Sequence, residues 1–174
     1  MSAAATLDLM QRVGAPLARA IDGGGTGVLL SAGQPGGILS LLMQGCAFEG
    51  RAHLIEIGEH RLAATDGLRP HVSRDGPGEA LRQMTSLDRL GLQAVRVVAV
   101  ALGDGATGAG ALRGASALIA RDRPLFLVPG EAAPLAELGA SYAVRHYARL
   151  DGAAGVSIAV PRERVAELTG GLTP

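Results

Sequence analysis

The run Val95–Leu102, VRVVAVAL, constrains this chain more than any other stretch. Apart from Arg96, apolar residues fill both phases of its alternation, so a strand built from it must be covered on both faces. Such strands lie inside mostly parallel sheets sandwiched between helices. LFLV at Leu125–Val128 has the same character. Between the two, ALRGASALIARD places Leu112, Ala115 and Ile119 on one helical face, which completes a strand, helix, strand unit. YAVRHYARL and GVSIAV read as a closing antiparallel pair, and PRERVAEL as a helix opened by Pro161. The expected fold class is therefore α/β, a mostly parallel central sheet closed by an antiparallel pair.

The upstream half reads less regularly. AATLDLMQRV predicts a short lead helix over 4–13, ended by Gly14 and Pro16. LARAI then reads as a strand running into the tight loop Asp22–Gly27, and VLLSA as an apolar segment broken at Gly33–Gly37. Any helix in ILSLLM is short or starts late. CAFEG reads as a small buried strand ending in a carboxylate, and HLIEIGEHRLAATDG as two short strands joined near Gly58 and Glu59. Residues 68–78 read as loop, and TSLDRL as a capped short helix. At 174 residues, 1–174 is expected to be a single domain.

Composition removes several function classes. Sixteen Lys+Arg balance sixteen Asp+Glu, so no overall field draws the chain to nucleic acid or to an anionic membrane. Every one of the sixteen cations is Arg, which excludes mechanisms built on a phosphate-loop lysine or a Schiff-base lysine. Two Phe, two Tyr and no Trp supply no platform for stacking bases. No segment approaches the ~20 apolar residues of a membrane span, no leader pattern opens the sequence, and the lone Cys46 suits a reducing compartment. A cytoplasmic protein without nucleic-acid or membrane partners is expected.

AIDGGGTG is the most suggestive element. An acid at a strand end followed by a glycine loop presents backbone N–H groups to an anionic or nucleotide-like ligand at a sheet's carboxyl edge, and Asp22 is placed to bind a polar ligand group. On the same reading Glu49 of CAFEG emerges from the neighbouring strand at that edge, where a carboxylate accepts both hydroxyls of a ribose.

TSLDRLGLQAVRVVAVAL, GALRGASALIARDRPLFLVPGE and the ending GVSIAVPRER resemble the C-terminal half of FkbM-type methyltransferases; with AIDGGGTG and CAFEG the likeness spans Ile21 to Arg164. The resemblance implies a Rossmann-like, class I methyltransferase-type domain that binds S-adenosylmethionine through Asp22, Gly23, Gly25, Gly27 and Glu49. It implies O-methyl transfer to a small molecule or glycan, and it names no catalytic residue. The chain departs from the family pattern in its shorter glycine loop, in Gly50 after the acid, and in AVALGDGATG, where Asp104 is the only carboxylate. Those departures suit an alternative: a non-catalytic methyltransferase-fold subunit acting in assembly, as a homo-oligomer or with a partner protein. IDGGGT also resembles the first phosphate loop of sugar kinases and actin-like ATPases, which normally need far more chain than this.

The remaining polar residues read as structural. His53, Glu56, Glu59 and His60 are metal-binding types, but period-two alternation splits them between two faces, so no metal site is expected. His71 and His146 stand alone, and Cys46 reads as a small buried hydrophobe. Arg121, Asp122 and Arg123, like Arg162, Glu163 and Arg164, read as charge-balanced solvated clusters.

Overall fold

The protein was analysed as a computed structural model that describes residues 3–22, 24–31, 38–47, 52–58, 87–101, 112–130 and 132–170. VRVVAVA forms β3 (Val95–Ala101), with β1 (Gly25–Ser31) on one side and β4 (Leu125–Pro129) on the other. β2 (Ala52–Gly58) flanks β1, while β6 (Val156–Pro161) and β5 (Tyr142–Tyr147) complete the far end, giving the order β2-β1-β3-β4-β6-β5. The pairs from β2 through β4 are parallel; β6 is antiparallel to both β4 and β5. The expected closing pair is present, and the mixed α/β sheet is compatible with a Rossmann-like domain.

Alternation along the strands sorts the core into two layers. Leu29, Val97, Ala99, Leu125, Leu127, Ile158 and Val160 face α1 (Ala3–Ile21), α2 (Ile38–Ala47) and a C-terminal α-helix, Val165–Thr169. Val28, Leu30, Val98, Val100, Phe126 and Ala159 face a 3-10 turn at Leu87–Leu90, α3 (Ser116–Asp122) and a 3-10 stretch, Ala133–Ser141. The C-terminal helix is α4 in chain order, entered through the 3-10 turn Arg162–Arg164. Val97, Val98 and Ala99 are at most 1% exposed, and full burial of each valine stabilises the fold by about 1.5–3 kcal/mol.

Two upstream readings are corrected. LARAI is not a strand: α1 runs unbroken through Pro16 to Ile21. Ala5, Leu9, Val13, Pro16, Leu17, Ala20 and Ile21 form one buried helical stripe, and docking that stripe on the sheet offsets the ~3 kcal/mol that an internal proline costs a helix. CAFEG does not begin as a strand either, since Cys46 and Ala47 complete α2; Phe48, Glu49 and Gly50 lie outside the described residues. HLIEIG is the expected strand, but β2 pairs in parallel with β1, and the second strand anticipated beyond Gly58 lies outside the described residues. No helix among the described residues is long and apolar enough to cross a membrane.

Gly155, where the β5–β6 connection returns to the sheet, is a packing requirement: a Cβ there would overlap the Tyr147 carbonyl, while its own carbonyl accepts the Gly130 N–H at 2.8 Å. Gly155→Ala must displace backbone, and urea denaturation is expected to show a loss of about 1–3 kcal/mol.

Candidate functional site

The glycine run lies at the opposite edge of the sheet from the one its sequence suggested. Because α1 continues to Ile21, Asp22 and Gly24 lie between helix and strand, and β1 begins at Gly25, paired with Ala52 at the start of β2. Asp22, Gly25 and Gly27 therefore belong to the amino end of β1, not to a loop at the carboxyl edge. Asp22 is exposed in this turn. Gly24 (φ 78°) donates its N–H to Ile21 O at 2.8 Å, closing the helix.

Gly25 has φ 119°, and a Cβ there would lie 2.6 Å from Ala94 O and 2.7 Å from Arg96 Cγ. Thr26 adds a backbone bond to Ala94 O (2.8 Å) and a hydroxyl bond to Gln93 O (3.0 Å). The space beside the bend is filled by the lead-in to β3, and glycine is needed there for close approach of two backbones. Gly27 is buried within β1, between Leu54 and Val97. Gly23 and Glu49 lie outside the described residues; in chain order Glu49 precedes β2, the amino side of that strand.

The rest of the amino edge is a set of locks. Asp122 accepts the Val95 N–H at 2.9 Å and two bonds from Arg121. The Arg121 hydrogen bond holds its carboxyl below the ordinary range against the opposing effect of burial. Asp88 accepts the N–H groups of Ala117 (3.0 Å) and Leu118 (2.7 Å), capping α3 from a distant segment. Arg123 holds Glu163 through two bonds of 2.7 and 2.9 Å while its guanidinium lies 4.8 Å from the Tyr142 ring centroid. Arg164 pairs with Glu167. Arg121, Arg123 and Arg164 thus pair with carboxylates within the protein, while Arg162 donates to Ala140 O at 2.6 Å.

The carboxyl edge has a different geometry. After β1 the chain passes to α2 on one face and to β2; after β3 it reaches α3 on the other face and then β4, so the direction of strand addition reverses between β1 and β3. In open α/β sheets ligands bind outside the carboxyl ends of the strands at such a point; the last paired residues of β1 and β3 there are Ser31 and Ala101. The segment joining β1 to α2 carries Gly33, Gly36 and Gly37 in sequence, Glu59 follows β2, and Asp104 follows β3.

Beyond β4 the edge has a built polar group. Ser157, wholly buried, donates its hydroxyl to Gly130 O at 2.7 Å, and His146 on the exposed side of β5 meets Ser157 Oγ through Nδ1 at 2.9 Å. The two side chains are cross-strand partners, a pairing invisible until the register of β5 on β6 is known. The connection after β5 is tied to α1: Arg12 donates to Ala148 O at 2.7 Å, and buried Arg149 makes a two-bonded pair with Asp151.

No group of three or more metal-binding side chains occurs among the described residues. His53 and Glu56 lie on β2, whereas Glu59, His60 and His71 fall outside the described residues. An apolar cavity of about 80 Å3 opens between Pro16 of α1, the β5–β6 face at Ala143, Tyr147, Ile158 and Val160, and Val165 of α4. Ligand pockets usually span ~300–1,000 Å3, so it does not hold a nucleoside. No family model matches the chain, and no curated protein matches it.

Two outcomes follow for the amino edge. The Tyr142 hydroxyl is buried without a hydrogen-bond partner, and burial pushes its pKa up to about 12 against the opposing pull of Arg123. Tyr142→Phe removes the unsatisfied group and keeps the ring, so chemical denaturation is expected to show a gain of about 1 kcal/mol. Glu163 is held down at about 2, first by the Arg123 hydrogen bond. A carboxyl depressed on folding contributes stability that is present above its ordinary 4.5 and is lost as the pH falls toward 2. NMR titration of the Glu163 carboxyl is expected to return toward 4.5 in Arg123→Gln.

Proposed function

We propose that this chain is a divergent S-adenosylmethionine-dependent methyltransferase-like domain of class I type, with its cofactor site at the carboxyl edge where β1 and β3 part. The observation that carries the reading is the strand order: four parallel strands with a switch point at β1/β3, closed by an antiparallel pair. That is the architecture the FkbM-type resemblance implies. α2 and α3 lie on opposite faces of the sheet, the arrangement that accompanies such a switch point.

The cofactor, when bound, supplies an electrophilic methyl group, and the chain has to hold a nucleophile in line with it. In sequence the chain after β1 carries Gly33, Gly36 and Gly37, and Glu59 is the acid that follows β2, the residue types that a phosphate- and ribose-binding edge calls for. Transfer to a hydroxyl of a small molecule or glycan is the reaction class. A second reading, a non-catalytic subunit, draws on β5, an end strand of the sheet whose Val144 is 45% exposed.

Calorimetric titration with S-adenosylhomocysteine separates the readings. Saturable binding is expected, with Glu59→Ala weakening it at least about tenfold, or ~1.4 kcal/mol, while Asp22→Ala and Glu49→Ala stay near wild type. No heat at millimolar ligand, together with a mass by light scattering that grows with concentration, would replace the enzyme with the assembly subunit.

A further inference from the structure

β5 is the end strand of the sheet, and its surroundings cover it thinly. Every residue of β6 is buried, whereas in β5 only Tyr142 is; Val144 and His146 are exposed, and Ala143, Arg145 and Tyr147 are half-buried. Ala143, Arg145 and Tyr147 border the apolar cavity against Pro16 and Val165, and Val144 stands 45% exposed opposite Ala159. An edge strand presents a row of backbone N–H and C=O groups, and proteins guard such edges with lysine, proline or a bulge. β5 has none of these: it reads YAVRHY, and its register on β6 runs unbroken from Tyr142 opposite Pro161 to Tyr147 opposite Val156. What satisfies such an edge is another extended strand.

The strand is complementary to itself. A twofold axis normal to the sheet sets two copies antiparallel and keeps each face of the sheet on its own side, so only residues of the same phase come opposite. With the axis at Val144, that valine meets its own copy, Tyr142–His146 pairs throughout, and Arg145 lies opposite Ala143. Moving the axis one residue toward Tyr147 sets Arg145 opposite Arg145, which like-charge repulsion disfavours. Moving it one residue the other way shortens the pairing to Tyr142–Val144. A single register therefore combines the longest pairing with no directly opposed like charges, and it buries the exposed valine against itself.

We propose that β5 is a homodimer interface, in which two copies of this chain pair antiparallel about Val144 and continue the sheet from one subunit into the other. The inference is independent of the cofactor reading and gives the assembly reading its interface. β4 and β6 separate the contact from β3, so the parallel strands take no part in it. Because both copies use the same strand, the pairing closes at two chains.

Sedimentation of the full chain from about 1 µM to about 1 mM is expected to show a reversible rise from the monomer mass to twice that mass. Val144→Lys sets like charges opposite one another and should weaken the dimer at least about tenfold, with the thermal midpoint of the monomer unchanged. The register is read in a Cys46→Ala background. There oxidation should join Val144→Cys chains into dimers, since opposed Cα atoms lie ~4.5–5.5 Å apart, within disulfide reach. His146→Cys, on the same face but opposite Tyr142, should stay unlinked. A wild type that remains monomeric throughout overturns the proposal without any variant having to fold. So does a mass that climbs past two chains, a dimer unmoved by Val144→Lys, or linkage through His146→Cys in place of Val144→Cys. Titration with S-adenosylhomocysteine is read separately, so failure of the dimer and failure of the cofactor reading are told apart.

Discussion

Burial of β3 on both faces is the constraint from which the rest of the molecule follows. Val97 and Ala99 belong to one apolar layer, Val98 and Val100 to the other, so neither face can be left to water. Each layer needs its own cover, which α1, α2 and α4 provide on one side and α3 with the 3-10 segments on the other. Having helices on opposite faces after β1 and β3 is what creates a switch point between them. The candidate site is thus a consequence of how the central strands are covered, before any polar side chain is considered.

The two edges of the sheet are used differently. At the amino edge, carboxylates and guanidinium groups are spent on one another and on backbone N–H groups, as in Asp122 with Arg121 and Val95. Gly25 joins this edge by letting the entrance of β1 lie against Ala94 and Arg96. At Gly25 the space a side chain would need is already occupied by Ala94 O and the Arg96 side chain. The carboxyl edge differs in having the His146 imidazole bonded to the buried Ser157 hydroxyl.

The core strands and the closing pair were legible because hydrophobic alternation survives any tertiary context: VRVVAVA, LFLV and GVSIAV could not satisfy both faces otherwise. LARAI misled because five residues are too few to separate a period of two from one of 3.6. Gly14 and Pro16 also mask a stripe that begins at Ala5 and continues to Ile21. Placing LARAI on a strand put Asp22 and its glycines at the wrong edge. His146 seemed solitary for a different reason: eleven positions separate it from Ser157, and only the β5–β6 register brings them together.

By itself the sequence determined the fold class, the identity of the central strands and the absence of lysine-dependent chemistry, since these depend on local apolar periodicity and residue content. Tertiary structure alone decided which end of β1 the glycine bend occupies and which histidine acquires a hydroxyl partner. Both depend on strand direction and register, and those are set by how helices and neighbouring strands bury their apolar faces together, a property no short segment contains.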